Sequence, residues 1–138
     1  MDEVVLRAAQ VTSGLLAGLY FAYAVSVMPA LKRMPDQVFV DVMNTINVVI
    51  VNPVFLLLAF LGAPVTAVAY LFWGQPGCAI VGAVLGVVTL LISFAFNIPL
   101  NNALAKDNQR EPFEEKWVRW NAVRFLTGTG SLVALLLV

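Results

Sequence analysis

The stretch FAFNIPLNNALAKDNQREPF, residues 94–113, joins the end of a long apolar run to a polar and charged segment. Asn97, Asn101 and Asn102 stand at this end of the run, and Pro99 lies between them. Charged residues alone would end a membrane helix, whereas amides inside such a helix need partners away from lipid. The stretch therefore predicts a kinked membrane helix whose polar end faces other helices.

The composition places the whole chain in a membrane. Of its 138 residues, 61% are hydrophobic and 12% are charged, and the mean hydropathy is +0.90. In a typical soluble domain about 25% of residues are charged. Eight basic residues balance eight acidic ones, which leaves no basic face for nucleic acid. With a single cysteine, Cys78, and no histidine, we expect no zinc or haem site and no other metal centre.

Four apolar runs are long enough to cross a bilayer core of about 30 Å, which takes about 20 helical residues. They are residues 4–28, 48–73, 79–96 and 117–138. Because they leave little chain for other structure, we expect one domain, residues 1–138, with an all-α fold: an integral membrane four-helix bundle surrounded by lipid. Glycines spaced four residues apart in the first and third runs predict close helix packing, and the same surfaces would also serve a homo-oligomer.

Basic residues between the spans predict the orientation of the chain, because cytoplasmic loops carry an excess of Lys and Arg. The second connection, GQPG at residues 74–77, carries none. The first and third connections carry Lys32, Arg33, Lys106, Arg110 and Lys116. We therefore expect these two connections in the cytoplasm and both termini outside it.

The segment before the second span is predicted to form a helix that runs straight into that span. Pro35 and Asp36 provide a helix-start signal. Pro53 would then lie inside a continuous helix, kink it and leave the carbonyl of Val49 without its usual partner.

Polar and aromatic residues of all four spans gather in the half of the bundle nearest the cytoplasm. The group comprises Tyr23 in the first span, Asn47 and Asn52 at the start of the second, Asn97 and Asn101 in the third, and Trp117, Trp120, Asn121 and Arg124 in the fourth. The last four have the i, i+3, i+4 and i+7 spacing of one helix face. Since such groups must face one another or a wet cavity, they predict a polar pocket near the cytoplasmic interface. The structural alternative is that the asparagines tie helices together, the arginine reaches the headgroups and the tryptophans anchor the interface.

Three segments resemble the anthrone oxygenase family of small four-helix membrane proteins: MNTINVVIVNPVF at residues 43–55, FNIPLNNALA at 96–105 and WVRWNAVR at 117–124. Their order and spacing match as well. Most members are uncharacterised bacterial proteins, which implies the bacterial inner membrane. The family is named for fungal enzymes that oxidise an anthrone to an anthraquinone with molecular oxygen and no recognised cofactor. Ala122 stands where members often carry a histidine.

Such a reaction, which the resemblance implies, removes a proton from an activated carbon and needs the resulting anion to be stabilised. A guanidinium and amide donors can stabilise the anion, and indole rings can stack on a flat, hydrophobic aromatic molecule. The expected catalytic residues are Arg124, Asn97, Asn101 and Asn121, and the expected substrate-binding residues are Trp117, Trp120, Asn47, Asn52 and Tyr23.

The base for this reaction is the missing group. Asp41 lies roughly on the helix face of Asn44 and Asn47 and is a candidate, with a solvating role on the cytoplasmic surface as its alternative. The rival hypothesis for the whole protein is a non-enzymatic membrane protein that binds a lipid or hydrophobic metabolite or serves as an accessory subunit. The absent histidine favours this rival, whereas the grouped Trp, Asn and Arg residues favour catalysis.

Overall fold

A computed structural model describes residues 1–73 and 76–138 of the protein. These residues form helices and no strand, which confirms the all-α fold. The helices are α1 (Asp2–Lys32), α2 (Asp36–Val49), α3 (Pro53–Tyr70), α4 (Gly77–Asp107) and α5 (Glu111–Leu136). The predicted second connection includes residues 74 and 75, which lie outside the described part of the chain.

Three of the helices, α1, α3 and α4, are long and apolar enough to cross a membrane. The helix α5 has 26 residues, about 39 Å at 1.5 Å per residue, but the part that ends at Arg124 also carries Arg119 and Asn121. It packs between α1 and α4, and α3 closes the ring by contacting the same two helices. The result is a membrane bundle of four long helices with α2 at one end.

The helix is interrupted between α2 and α3, so the prediction of one continuous helix kinked at Pro53 is wrong. Asn52 is extended, with φ −132° and ψ 158°, and Pro53 is the first residue of α3. A residue before proline is pushed out of helical geometry, and proline fits the first turn of a helix. Asn52 caps the start of α3 and the end of α2. Its Oδ1 accepts from the Phe55 N–H at 3.0 Å, and its Nδ2 donates to the Val49 carbonyl at 3.0 Å.

Three helices contain a widened, π-helical turn shortly before a proline. These turns are Tyr23–Val27 before Pro29, Leu56–Phe60 before Pro64 and Ser93–Asn97 before Pro99. A proline has no N–H to donate to the carbonyl four residues earlier, and its ring clashes with that carbonyl. In the widened turn, an N–H donates to the carbonyl five residues earlier in the chain. The Ile98 N–H, for example, donates to the Ser93 carbonyl. The helices therefore stay continuous through their prolines.

Arg110 fastens the end of α1 and the start of α2 to α5. Its guanidinium donates to the carbonyls of Met34 at 2.7 Å and Lys32 at 3.0 Å. It also pairs with Glu114 at 2.7 Å and with Asp36 at 3.1 Å. The hydrogen bonds to Glu114 raise the pKa of Arg110 above its ordinary value, so its charge is permanent. This clamp holds α2 against the end of the bundle.

Small residues let α4 and α5 approach closely, as the glycine spacing predicts. The Ser131 hydroxyl donates to the Gly82 carbonyl at 2.7 Å. A Cβ at Gly82 would lie 2.8 Å from Leu135 Cγ, which is closer than such atoms pack. By contrast, Gly18 of α1 is exposed, and a Cβ there would meet nothing within 4 Å.

We expect Gly82→Ala to lower the free energy of unfolding by about 1–3 kcal/mol, because the added methyl overpacks the contact with Leu135. Gly18→Ala is the matched control and should leave stability unchanged or raise it by up to about 1 kcal/mol, since alanine favours helix. The measurement is reversible unfolding of both variants in mild detergent. Equal stability of the two would contradict close α4–α5 packing at Gly82.

Candidate functional site

A cavity of about 320 Å³ lies at the end of the bundle that α2 covers. All five helices contribute residues to its wall. Its aromatic surface comes from Tyr20, Tyr23, Phe55, Phe60 and Trp117. Its polar side chains, besides the two tyrosine hydroxyls, are Asn44, Asn47, Asn101, Asn102 and Arg124. The wall thus combines aromatic rings with a few polar groups, as ligand pockets commonly do.

Arg124 points into the bundle and not toward headgroups, since only 6% of it is exposed. One terminal nitrogen, Nη2, donates to Asn121 Oδ1 at 2.9 Å, and the other, Nη1, donates to Ser93 Oγ at 3.3 Å. The guanidinium carbon lies 4.3 Å from the ring centre of Tyr20 and 5.2 Å from that of Trp117. Neutral dipoles and π faces thus replace water around this cation.

The charge of Arg124 has no partner of opposite sign in the part of the chain that the structure describes. None of the ion pairs there includes Arg124, and its Nε atom is buried without a hydrogen bond. A buried cation costs several kcal/mol in an apolar interior unless a counter-charge compensates it. The arrangement therefore favours an anion in the adjoining cavity.

Asn121 fixes the position of Arg124 and does not line the cavity. It is 1% exposed, and while its Oδ1 accepts from Arg124, its Nδ2 donates to the Tyr20 carbonyl at 3.2 Å. Ser93 is held in a similar way, because its hydroxyl donates to the Thr89 carbonyl at 3.2 Å. Both residues hydrogen-bond to the Arg124 guanidinium without lining the cavity themselves.

The two asparagines of the opening stretch both contact Trp117. Asn101 lines the cavity, and its Oδ1 accepts from Trp117 Nε1 at 2.7 Å. Asn97 is completely buried, does not line the cavity and donates from Nδ2 to the Trp117 carbonyl at 3.4 Å. Its Oδ1 has no hydrogen-bond partner among the described residues. These contacts fix the indole that forms one side of the cavity.

Two of the expected substrate-binding residues lie elsewhere. Trp120 stacks on Phe96 outside the cavity, with ring centres 3.5 Å apart and planes 4° from parallel. Asn52 caps α3 and borders a neighbouring groove between α1 and α2. The structure does bring together Arg124, Asn101, Trp117, Asn47 and Tyr23 on the cavity wall.

Ser93 is the functional candidate that sequence reasoning missed. It lies four residues before Asn97 and eight before Asn101, so it continues the polar face of the opening stretch by one more turn. Extending that face would have found it. A lone serine in an apolar run is a weak signal by itself, because small polar residues are common where membrane helices pack.

Neither candidate position for a base reaches the cavity. The Asp41 side chain is exposed on α2, and its Oδ1 accepts from Gln37 Nε2 at 2.8 Å. Ala122 is exposed on α5, whereas Asn121 and Arg124 are buried. A histidine at position 122 would therefore lie away from the Arg124 face.

We expect Asn121→Leu to lower the free energy of unfolding by about 1.5–3 kcal/mol, because it removes a hydrogen bond to a buried charge. In an Arg124→Met background, which has no such charge, the same change should cost clearly less. Unfolding of wild type, both single variants and the double variant in mild detergent measures the difference. An equal cost in both backgrounds would show that Asn121 supports only the bundle and not the cation.

A family model described as anthrone oxygenase matches residues 46–134, which is more than half of the chain. The matched segment runs from α2 to the last turns of α5 and includes Asn47, Asn101, Trp117 and Arg124 of the cavity wall. No curated protein and no solved structure matches the chain. On the extent of the family match, together with its membrane helices, the chain belongs to the anthrone oxygenase family.

Proposed function

We propose that the cavity binds the anionic form of a flat, hydrophobic aromatic molecule and that the protein oxygenates it as an anthrone-type oxygenase without a cofactor. The observation that carries this proposal is the buried Arg124, whose charge has no counter-charge among the described residues and which lines an aromatic cavity. A ligand anion there would supply the missing charge. Because guanidinium is planar and stays charged, it suits an oxyanion conjugated to a ring system.

The reaction proceeds through the anion that Arg124 stabilises. The CH₂ group that faces the carbonyl across the central ring loses a proton, and the electron pair spreads onto the carbonyl oxygen as an enolate. The enolate carbon then adds molecular oxygen, and the resulting peroxide loses water to leave a second carbonyl. Overall, CH₂ and O₂ give C=O and H₂O, so the substrate supplies the electrons that reduce oxygen.

The residues on the cavity wall have separate roles in this proposal. Arg124 faces the enolate oxygen, and Trp117 packs on the ring system. The Asn101 amide, oriented by Trp117, and Asn47 contact polar substituents of the substrate. Asn121 acts as a positioning residue for Arg124.

A second function, ligand binding without turnover, is favoured by one observation. The cavity wall contains no carboxylate among the residues described there, so no strong base adjoins the ligand. A protein of this kind would carry the same anionic aromatic molecule within the membrane and leave its carbon unoxidised. The two functions differ in whether oxygen is consumed.

Oxygen uptake with anthrone as probe tests the proposal. We expect protein in mild detergent to oxidise anthrone to anthraquinone faster than a protein-free blank. Arg124→Gln should lower this excess rate about 100-fold, the usual effect of losing an oxyanion donor. Arg124→Lys should also lower the rate, because an ammonium lacks the planar fork.

Arg119→Gln is the matched control, since Arg119 lies on the same helix but is exposed and pairs with Glu115. It should retain the wild-type rate. Tight binding of anthrone without oxygen uptake above the blank would leave the binding function and reject the oxygenase.

We further propose that the α2 end of the bundle faces the cytoplasm and that both termini lie outside it, because basic residues cluster at that end. A reporter fused after Val138 should be extracytoplasmic, and one inserted at Asn108, the left-handed residue between α4 and α5, should be cytoplasmic. Activity of the reporters in intact bacteria and in spheroplasts measures this. The reverse pattern would reject the orientation.

A further inference from the structure

Tyr23 is a buried tyrosine in a widened turn on the cavity wall. It begins the π-helical turn Tyr23–Val27 of α1, is 6% exposed and lines the cavity. Turns of this kind occur often at functional sites, because they re-aim side chains out of regular helical positions. Here the turn places a phenol on the cavity wall beside the ring of Trp117.

None of the hydrogen bonds among the described residues involves the Tyr23 hydroxyl, and its oxygen is not one of the fully buried side-chain atoms that lack a partner there. Its neighbour Tyr20 differs, since the Tyr20 hydroxyl lies 3.5 Å from Ser93 Oγ. Buried tyrosine hydroxyls usually find a partner, because leaving one unpaired in an apolar interior is costly. The contacts that Tyr23 makes are apolar, with the Trp117 ring and the core side chains around it, so its polar atom is left for a molecule in the cavity.

Tyr23 and Arg124 lie against the same indole. The Tyr23 ring meets Trp117 edge-on with centres 5.1 Å apart, and the Arg124 guanidinium carbon lies 5.2 Å from the Trp117 ring centre. Both residues also line the cavity. Tyr23 and Arg124 therefore share both a neighbouring indole and the cavity that it lines.

We infer that Tyr23 is the second donor of the oxyanion site, with its O–H directed at the ligand oxygen whose charge Arg124 compensates. This inference rests on the proposed function and adds a residue that selects the ionised ligand. A phenol donates one hydrogen bond to an oxyanion and gains more from it than from a neutral oxygen. Tyr23 thus contributes specificity for the anion, and Arg124 contributes the charge.

Ionisation of a bound coloured phenol tests this role. The probe is 4-nitro-1-naphthol, whose naphtholate absorbs at longer wavelength than its neutral form, and 1-nitronaphthalene is its counterpart without the hydroxyl. Wild-type protein in mild detergent should bind the naphtholate in preference to nitronaphthalene. Tyr23→Phe should reduce that preference about tenfold, equivalent to about 1.4 kcal/mol, while nitronaphthalene binds as before. Tyr70→Phe is the matched control, because Tyr70 is similarly buried but does not line the cavity, and it should behave as wild type.

The outcomes separate this role from the function on which it rests. If wild-type protein shows no preference for the naphtholate, the proposed anion site fails and the role of Tyr23 fails with it. If wild type shows the preference and Tyr23→Phe retains it in full, only the role of Tyr23 is overturned. A Tyr23→Phe variant that loses affinity for both probes by the same factor would show a packing role and also overturn the inference.

Discussion

A permanently charged guanidinium cannot leave water unless other groups replace its hydration, and this constraint organises the end of the bundle that holds the cavity. For Arg124, the groups that replace water are the Asn121 amide on α5, the Ser93 hydroxyl on α4 and the Tyr20 ring on α1. One side chain therefore fixes three helices relative to one another. These partners are neutral, so they solvate the cation without cancelling its charge. The uncancelled charge gives the cavity its chemical character.

The prolines make this arrangement possible without breaking the helices. Each widened turn inserts one residue and rotates the helix beyond it by about 100°, one residue of a 3.6-residue turn. Tyr23, Phe60 and Ser93 all belong to such turns, and each lines the cavity or contacts Arg124. A regular helix would direct some of them toward lipid. Backbone irregularity inside a membrane is tolerated where it is buried in protein or lines a cavity, and each of these turns contributes a side chain to the cavity or to Arg124.

The sequence predicted which end of the bundle the polar groups share better than the direction in which each one points. Apolar run lengths predicted the four long helices approximately, although α3 begins at Pro53 and not at residue 48, and the polar spacing was enough to bring Asn101, Trp117 and Arg124 to one cavity. Trp120 shows how far such spacing can be used to predict the direction of a side chain. At 100° per residue, Trp120 lies about 60° around the helix from Trp117, on the side opposite Asn121. It therefore contacts Phe96 instead of lining the cavity. At residues 52 and 53 an Asn-Pro pair fits both a kink and a helix start. The hydrogen bond that the Asn52 side chain accepts from the Phe55 N–H favours the helix start, and this bond is visible only in the three-dimensional structure.

A cavity lined by a cation, and by no strong base among the described residues, suits a substrate whose own C–H group is acidic. Loss of the C–H proton from an anthrone leaves negative charge on oxygen, so a cation at that oxygen favours ionisation directly. Each 1.4 kcal/mol of such stabilisation shifts the equilibrium tenfold toward the anion, and water can accept the proton. The exposed position of Ala122 agrees with this division of roles, because a histidine there would lie away from the face of Arg124. The group on which the proposed chemistry depends is then the buried charge, and the residues around it serve to keep that charge inside the bundle and uncancelled.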